Sequence, residues 1–369
     1  MPDSISIFRP KRVNARLQAV VMGLLAALIA LPAPSLSADA TPQAVVLMYH
    51  RVGEDNTPST SVSVEQFRAH LAYLDAQQFN VIPLSQVVRA LQQGSSLPAK
   101  SIAITFDDGY ASVGEVAHDL LAERDWPYTV FVNTEPVDAG LESHLSWSQM
   151  RAMAARGAEF ANHSHTHTPL FVRNEGESEA DWQARINADI GQAQTRLVDE
   201  LGAAALTDPP LLAYPYGEYD LDVLALIENA GYVGFGQQSG AIGPTSNLLA
   251  LPRYPMNERY AALDGFAVKA SSKALPVRAK TPANPVRDTA QPPRWVVTLT
   301  EEGLPGTSPT CFYGNERLHP EWLIPGQQFA VQGEADLPIG RSRYNCTAPD
   351  GEGGFYWLSQ MWIYAEAGT

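Results

Sequence analysis

The stretch S-I-A-I-T-F-D-D-G, Ser101–Gly109, decides how the chain is read. Ser101–Phe106 is a short apolar, β-branched run with the pattern of a buried strand. It stops abruptly at two acids, and Gly109 then lets the backbone turn away sharply. Upstream, Ala44–Tyr49 is a second run of the same kind. Between them Ser63 and Gln66 form a capping box, followed by Phe67, Leu71 and Leu74 on one helical stripe. A short helix is expected from Ser85 to Gly94.

Downstream the order repeats. A helix is expected over Val113–Arg124, then a strand over Tyr128–Asn133. Ser146 and Gln149 cap a helix that ends at Gly157, and Ala158–Ala161 is the next strand. A long helix over Ala180–Leu201 precedes strand Leu211–Tyr214. A helix over Asp220–Ala230, stopped by Gly231, precedes strand Tyr232–Phe235. Alternating strands and helices predict a mainly parallel α/β sheet, open or closed into a barrel.

The character changes after residue 278. Residues 279–293 hold four prolines from Lys280 to Pro293 without apolar periodicity, and read as a linker. Residues 294–369 read as a small β domain, sandwich-like, with strands at Trp295–Thr300, Gln328–Gln332 and Phe355–Tyr364. Cys311 and Cys346, the two cysteines of the chain, are expected to pair. The bridge would close a loop of about 35 residues and contribute about 3–4 kcal/mol. Trp295, Trp322, Trp357 and Trp362 either fill this core or stack on glycan.

The first 38 residues have the layout of a secretory signal peptide. Arg9, Lys11, Arg12 and Arg16 precede an apolar run from Leu17 to Leu31, and Ala38 and Ala40 give an A-x-A cleavage site. The run falls short of the ~20 residues that a retained anchor needs. Residues 39–278 then form the α/β domain of an exported protein, periplasmic or extracellular, with no stable membrane span after cleavage. The net charge is −15, and residues 1–38 hold four bases and one acid, so the mature chain stands near −18. Such a surface repels nucleic acid and anionic lipid, and it tolerates neutral or cationic substrates. Oligomeric state has no signal in the sequence.

Active sites of parallel α/β folds collect at the C-terminal ends of the strands. There this chain places His50, then Asp107 and Asp108, then His163, His165 and His167, then Tyr216 and Gly217. His163 and His167 are four apart, so a tight loop or helical turn presents both to one point, with His165 turned elsewhere. Two imidazoles and a carboxylate leave open positions on a divalent metal. Of the acid pair, one can bind metal while the other takes a proton. Taken alone, two acids in a turn are as often mere turn formers, and a histidine cluster can be merely solvated.

These residues resemble the polysaccharide deacetylases of carbohydrate esterase family four, the NodB homology domain, over about residues 44–260. T-F-D-D-G at Thr105–Gly109 is similar to that family's first motif, and H-S-x-x-H at His163–His167 to its second. The resemblance implies a distorted (β/α) barrel. It also implies Asp107 as general base, and Asp108, His163 and His167 as ligands of a divalent ion, usually zinc. Two departures stand out. The usual R-P-P-Y-G reads A-Y-P-Y-G here, Ala213–Gly217, so the arginine that would hold the base is missing from it, and Arg253 is the candidate substitute. A late L-x-H, the usual source of the acid, is absent.

Both departures resemble the poly-N-acetylglucosamine deacetylase branch, as do M-Y-H-x-V at Met48–Val52, S-V-S-V-E-Q-F and Y-P-Y-G-E-Y. That resemblance implies His50 as the acid and the Tyr216 N–H as an oxyanion donor, acting on an acetylated polysaccharide. Removal of O-acetyl groups or of acetyl groups from peptidoglycan is the rival within the family. A non-catalytic glycan-binding protein is the rival outside it.

Overall fold

The strand Ala44–Tyr49 (β1) is buried along its whole length, and so is Ser101–Phe106 (β2) beside it. Neither can expose a face, so both need cover on two sides, which a parallel sheet wrapped by helices provides. In the computed structural model, which describes residues 42–300, 303–304 and 308–365, five further strands join them. These are Tyr128–Val132 (β3), Ala158–Asn162 (β4), Leu211–Ala213 (β5), Val233–Phe235 (β6) and Tyr254–Pro255 (β7). The order is β7-β1-β2-β3-β4-β5-β6, all parallel, with Asn80–Val81 alongside β2.

Side chains of alternate parity enter two separate cores. Val45, Leu47, Ile102, Ile104 and Val130 pack outward against the helices. Val46, Ala103, Phe131, Ala161, Ala213 and Phe235 face the other way. Phe131 on β3 and Phe235 on β6 are not sheet neighbours, yet their ring centroids are 5.5 Å apart. The second cluster therefore fills the inside of a curled sheet, and its alanines let the strands approach. The curl is closed by the segment leading into β7. Leu251 and Arg253 make backbone hydrogen bonds of 2.9–3.0 Å with Gly234 of β6 and with Gly236 and Gln238 just past it. The result is the distorted barrel.

The helices follow the sequence closely. Capping boxes are formed at Ser63/Gln66 and Ser146/Gln149, and Gly94 ends its helix in the left-handed region. The long helix Glu179–Leu201 buries Trp182, Ile186, Ile190, Ala193 and Leu197 on one stripe, and each large apolar side chain so buried contributes about 1.5–3 kcal/mol. The helix expected over Val113–Arg124 is interrupted: a π-turn at Val113–Ala117 leads into a short α-helix, His118–Ala122. The helix Leu263–Ala270, which the periodicity did not reveal, stacks Phe266 on His70 at 4.0 Å.

The reading of 279–293 as a linker is corrected by the structure. Val277–Thr281 (β9), preceded by Lys273–Ala274 (β8), is a strand paired with Trp295–Leu299 (β11), and Val286–Arg287 (β10) pairs with the final strand. The prolines lie between these strands, and pairings with distant partners leave no local period to read. Beyond β11 come Thr310–Tyr313 (β12), Glu316–Leu318 (β13), Glu321–Ile324 (β14), Gln328–Val331 (β15), Gly340–Pro349 (β16) and Phe355–Tyr364 (β17). One sheet runs β8-β17-β16-β12-β13 and the other β9-β11-β15-β14.

Trp295, Val297 and Phe329 from one sheet meet Tyr344 and Trp362 from the other in a shared core. Trp295 and Trp362 are fully buried, so they are core residues; Trp322 and Trp357 are partly exposed. Residues 40–369 cluster as one compact unit, and the expected signal peptide, 1–38, lies outside the described residues. No described helix is long and apolar enough to cross a membrane.

Cys311 on β12 faces Cys346 on β16 and the two are bonded. Replacing both with alanine should lower unfolding stability by about 3–4 kcal/mol. Denaturant titration measures it, and an unreduced digest should contain the joined peptides. Two freely alkylated thiols in the native protein would contradict the bridge.

Candidate functional site

The ends of β1, β2, β4 and β5 open into a cleft of about 530 Å³ lined by His50, Asp108, His167 and Tyr216 among others. Asp107 and His163 lie beneath them, fully buried. All six residues singled out in the sequence are thus brought to one rim. His165 is turned away, as expected, with Nδ1 2.8 Å from the Thr134 hydroxyl and Nε2 2.9 Å from the Gln192 amide.

Asp108 Oδ1 lies 3.2 Å from Nε2 of both His163 and His167. His163 donates from Nδ1 to the Ala213 carbonyl at 2.8 Å, and this fixes its tautomer so that a lone pair on Nε2 faces the carboxylate. Two acceptors then point at each other. Asp108 Oδ1 and His163 Nε2 are accordingly buried without a hydrogen-bond partner. Burying polar atoms in that condition is costly unless a cation joins them. The three ligand atoms lie within 4.8 Å of one another, and two nitrogens and one oxygen suit a divalent metal with open positions. The residues fit such an ion.

The backbone at the rim is strained to make this geometry. Asp108, His167 and Tyr216 all have positive φ, at 71°, 57° and 58°, as does Ser164 at 64°. Such conformations cost about 1–3 kcal/mol each and persist where the surroundings over-determine them. Next to Tyr216, Gly217 has φ 73°, and a Cβ there would meet the Gln237 backbone nitrogen at 2.6 Å. Only glycine fits. The Tyr216 ring lies against His167, with centroids 4.6 Å apart.

Asp107 is gripped by Arg253 in a bidentate pair, Nη1–Oδ1 2.6 Å and Nη2–Oδ2 2.8 Å. Both side chains are fully buried. Burial would raise the Asp107 carboxyl, yet the Arg253 guanidinium, with His163, holds it below the usual range. His50 is shifted down, chiefly by burial, although Asp108 and Asp107 favour its charged form. Sequence reasoning did not single out Arg341 and Arg343, which line the same cleft from β16. They lie on a strand of the distant β part, and no local pattern links them to the barrel.

Substituting Arg253→Gln leaves a buried carboxylate without a cation and should cost about 3–5 kcal/mol of stability. Adding Asp107→Asn should recover most of that loss. Denaturant unfolding of the single and double variants measures the coupling, and additive effects would show that the pair is not a unit.

A family model for polysaccharide deacetylases matches residues 94–235. A poly-beta-1,6-N-acetyl-D-glucosamine N-deacetylase of Staphylococcus aureus is 27% identical over 231 residues, covering 57% of this chain and 77% of that one. Among solved structures, a Streptococcus pyogenes deacetylase in complex with acetate superimposes with a TM-score of 0.53 at 22% identity, over 62% of this chain and 99% of that one. IcaB from Ammonifex degensii gives 0.53 at 22% identity, over 62% and 97%. The last two establish the barrel as the shared fold. The T-F-D-D-G and H-S-x-x-H residues gathered at its rim both fall within residues 94–235, the part of the chain that matches the polysaccharide deacetylase family.

Proposed function

We propose that this enzyme hydrolyses N-acetyl groups from a β-1,6-linked N-acetylglucosamine polymer outside the cytoplasm, the N-terminal segment serving for export. The observation that carries the reading is the pairing of two acids with opposite surroundings on one strand end. Asp108 faces two imidazole nitrogens, one of which, His163 Nε2, is buried without a hydrogen-bond partner, while Asp107 is held ionised by Arg253. A glycan-binding module needs no such division. The 27% identity to an enzyme named for the β-1,6-linked polymer favours that linkage over O-acetyl or peptidoglycan substrates.

Asp108, His163 and His167 would hold a divalent ion, zinc by the family resemblance, whose chemistry there is to polarise an acetamide carbonyl and acidify water. The chain's own groups do the rest. Asp107, ionised and oriented by Arg253, takes the proton of the attacking water. The Tyr216 N–H, in a residue that lines the cleft and has a left-handed backbone, would donate to the oxyanion. His50 protonates the departing amine. Burial lowers its pKa, while the neighbouring Asp108 and Asp107 carboxylates favour the protonated imidazole that can give up this proton.

The purified protein should release acetate from β-1,6-linked N-acetylglucosamine oligomers in preference to chitin, peptidoglycan and acetylxylan. A chelator should abolish that release and remove the ion, as should His163→Ala with His167→Ala. Activity that survives complete metal removal, or a preference for acetylxylan, would overturn the reading.

The two proton-transfer roles separate by substrate. Asp107→Asn should cut turnover by about 10²–10⁴-fold on every substrate while leaving metal content unchanged. His50→Ala should also keep its metal. Its loss, at least about a hundredfold on the amide, should shrink on activated acetate esters, whose leaving groups need no proton. Equal small losses on both substrates would return His50 to a structural role.

A further inference from the structure

The catalytic cleft does not end at the barrel. Tyr260, Arg341 and Arg343 line it and also line a second recess of about 540 Å³, whose wall continues through Tyr313, Glu316 and Asn345 of the β part. The two spaces share those three residues as walls. Arg259 stands at the same junction, its guanidinium 5.5 Å from the Tyr260 ring centroid. Three arginines therefore border the passage in a chain whose net charge is −15.

Their partners are unequal. Arg341 is committed, donating to the Tyr216 carbonyl and lying 3.5 Å from Glu218. Among the described residues, neither Arg259 nor Arg343 makes an ion pair or a side-chain hydrogen bond. Burial, and then the charges of Arg341 and Arg259, disfavour the protonated form of Arg343, and only Tyr260 offsets them. The three guanidinium groups present N–H donors and no acceptor, and they outnumber the one carboxylate that lines the recess, Glu316. An acetamide carbonyl or a sugar hydroxyl can accept from them. A protonated amine has no lone pair to offer and carries the same charge.

We propose that this recess is a glycan subsite that takes an uncharged, N-acetylated unit and rejects a glucosamine unit. Its consequence is that one deacetylated neighbour slows removal of the next acetyl group, and the polymer product is deacetylated at spaced positions. The inference rests on the proposed N-deacetylase function, since that reaction makes the amine that the arginines repel.

The test uses the full-length protein and short β-1,6-linked N-acetylglucosamine oligomers carrying a single glucosamine on one side or the other of the target unit. At about pH 6 the amine is protonated. Wild-type kcat/KM should fall about five- to tenfold when glucosamine occupies the arginine side and change little when it occupies the other. Raising salt should narrow the difference. Arg259→Gln with Arg343→Gln should bring the ratio for the two oligomers close to one. Because the readout is a ratio within one variant, a general weakening of binding does not disturb it. Equal rates in wild type, or a ratio that persists in the double variant, would overturn the subsite. Failure of wild type on the fully acetylated oligomer would overturn the function beneath it.

Discussion

The Asp107–Arg253 ion pair is the constraint on which the rest of the site depends. Two fully buried charges cost several kcal/mol each to desolvate, and only complete hydrogen bonding makes the pair tolerable. Here the guanidinium is nearly saturated: both Nη atoms hold Asp107, Nη1 also reaches the Thr105 hydroxyl at 3.3 Å, and Nε donates to the Gly236 carbonyl at 3.1 Å. These contacts tie the end of β2 to the seam where the sheet closes past β6. The same arginine bonds the seam through its backbone, Arg253 N–H to the Gln238 carbonyl at 3.0 Å. Barrel closure and the orientation of the Asp107 carboxylate are therefore one structural event.

That fixed carboxylate sets what its neighbour must do. Adjacent residues leave a strand end in different directions, and with Asp107 pulled inward, Asp108 takes a left-handed conformation that delivers Oδ1 to His163 and His167. His167 and Tyr216 adopt the same kind of strained backbone on the far side of the cleft. Four such residues on one rim concentrate strain where the chemistry is proposed, and the large buried core beneath holds them there.

Much of this was legible in the sequence, for a physical reason. Buried parallel strands are continuous apolar runs, and Ala44–Tyr49 and Ser101–Phe106 match their observed bounds to the residue. Caps act through local hydrogen bonds, so Ser63 and Ser146 were readable from spacing alone. Strand ends follow from the strands, and the rim residues followed from them. What stayed hidden depends on contacts between distant segments. The two-residue strand β7 has no period, and it exists because Leu47 and Met48 pair with it. The strands at Val277–Thr281 and Val286–Arg287 sit among prolines and are held by β11 and β17. Arg253 was suggested only by the gap that A-Y-P-Y-G left, since its guanidinium meets a carboxylate 146 residues away.

The β part is joined to the barrel in a way that gives its arginines a fixed place. Met361 and Ile363 of β17 enter the same apolar cluster as Leu212 and Tyr214 at the end of β5, and Trp357 meets the Tyr254 ring edge-on at 5.3 Å. β17 pairs with β16 over ten residues, so the position of β17 against the barrel sets the position of Arg341 and Arg343 at the cleft. Arg341 then closes the loop by holding the Tyr216 carbonyl, in the same strained turn whose N–H is proposed to meet the oxyanion. A strand from a part of the chain with its own core thus braces the barrel's rim. Packing at β17, far from the reacting atoms, is the feature through which the β part can act on the site.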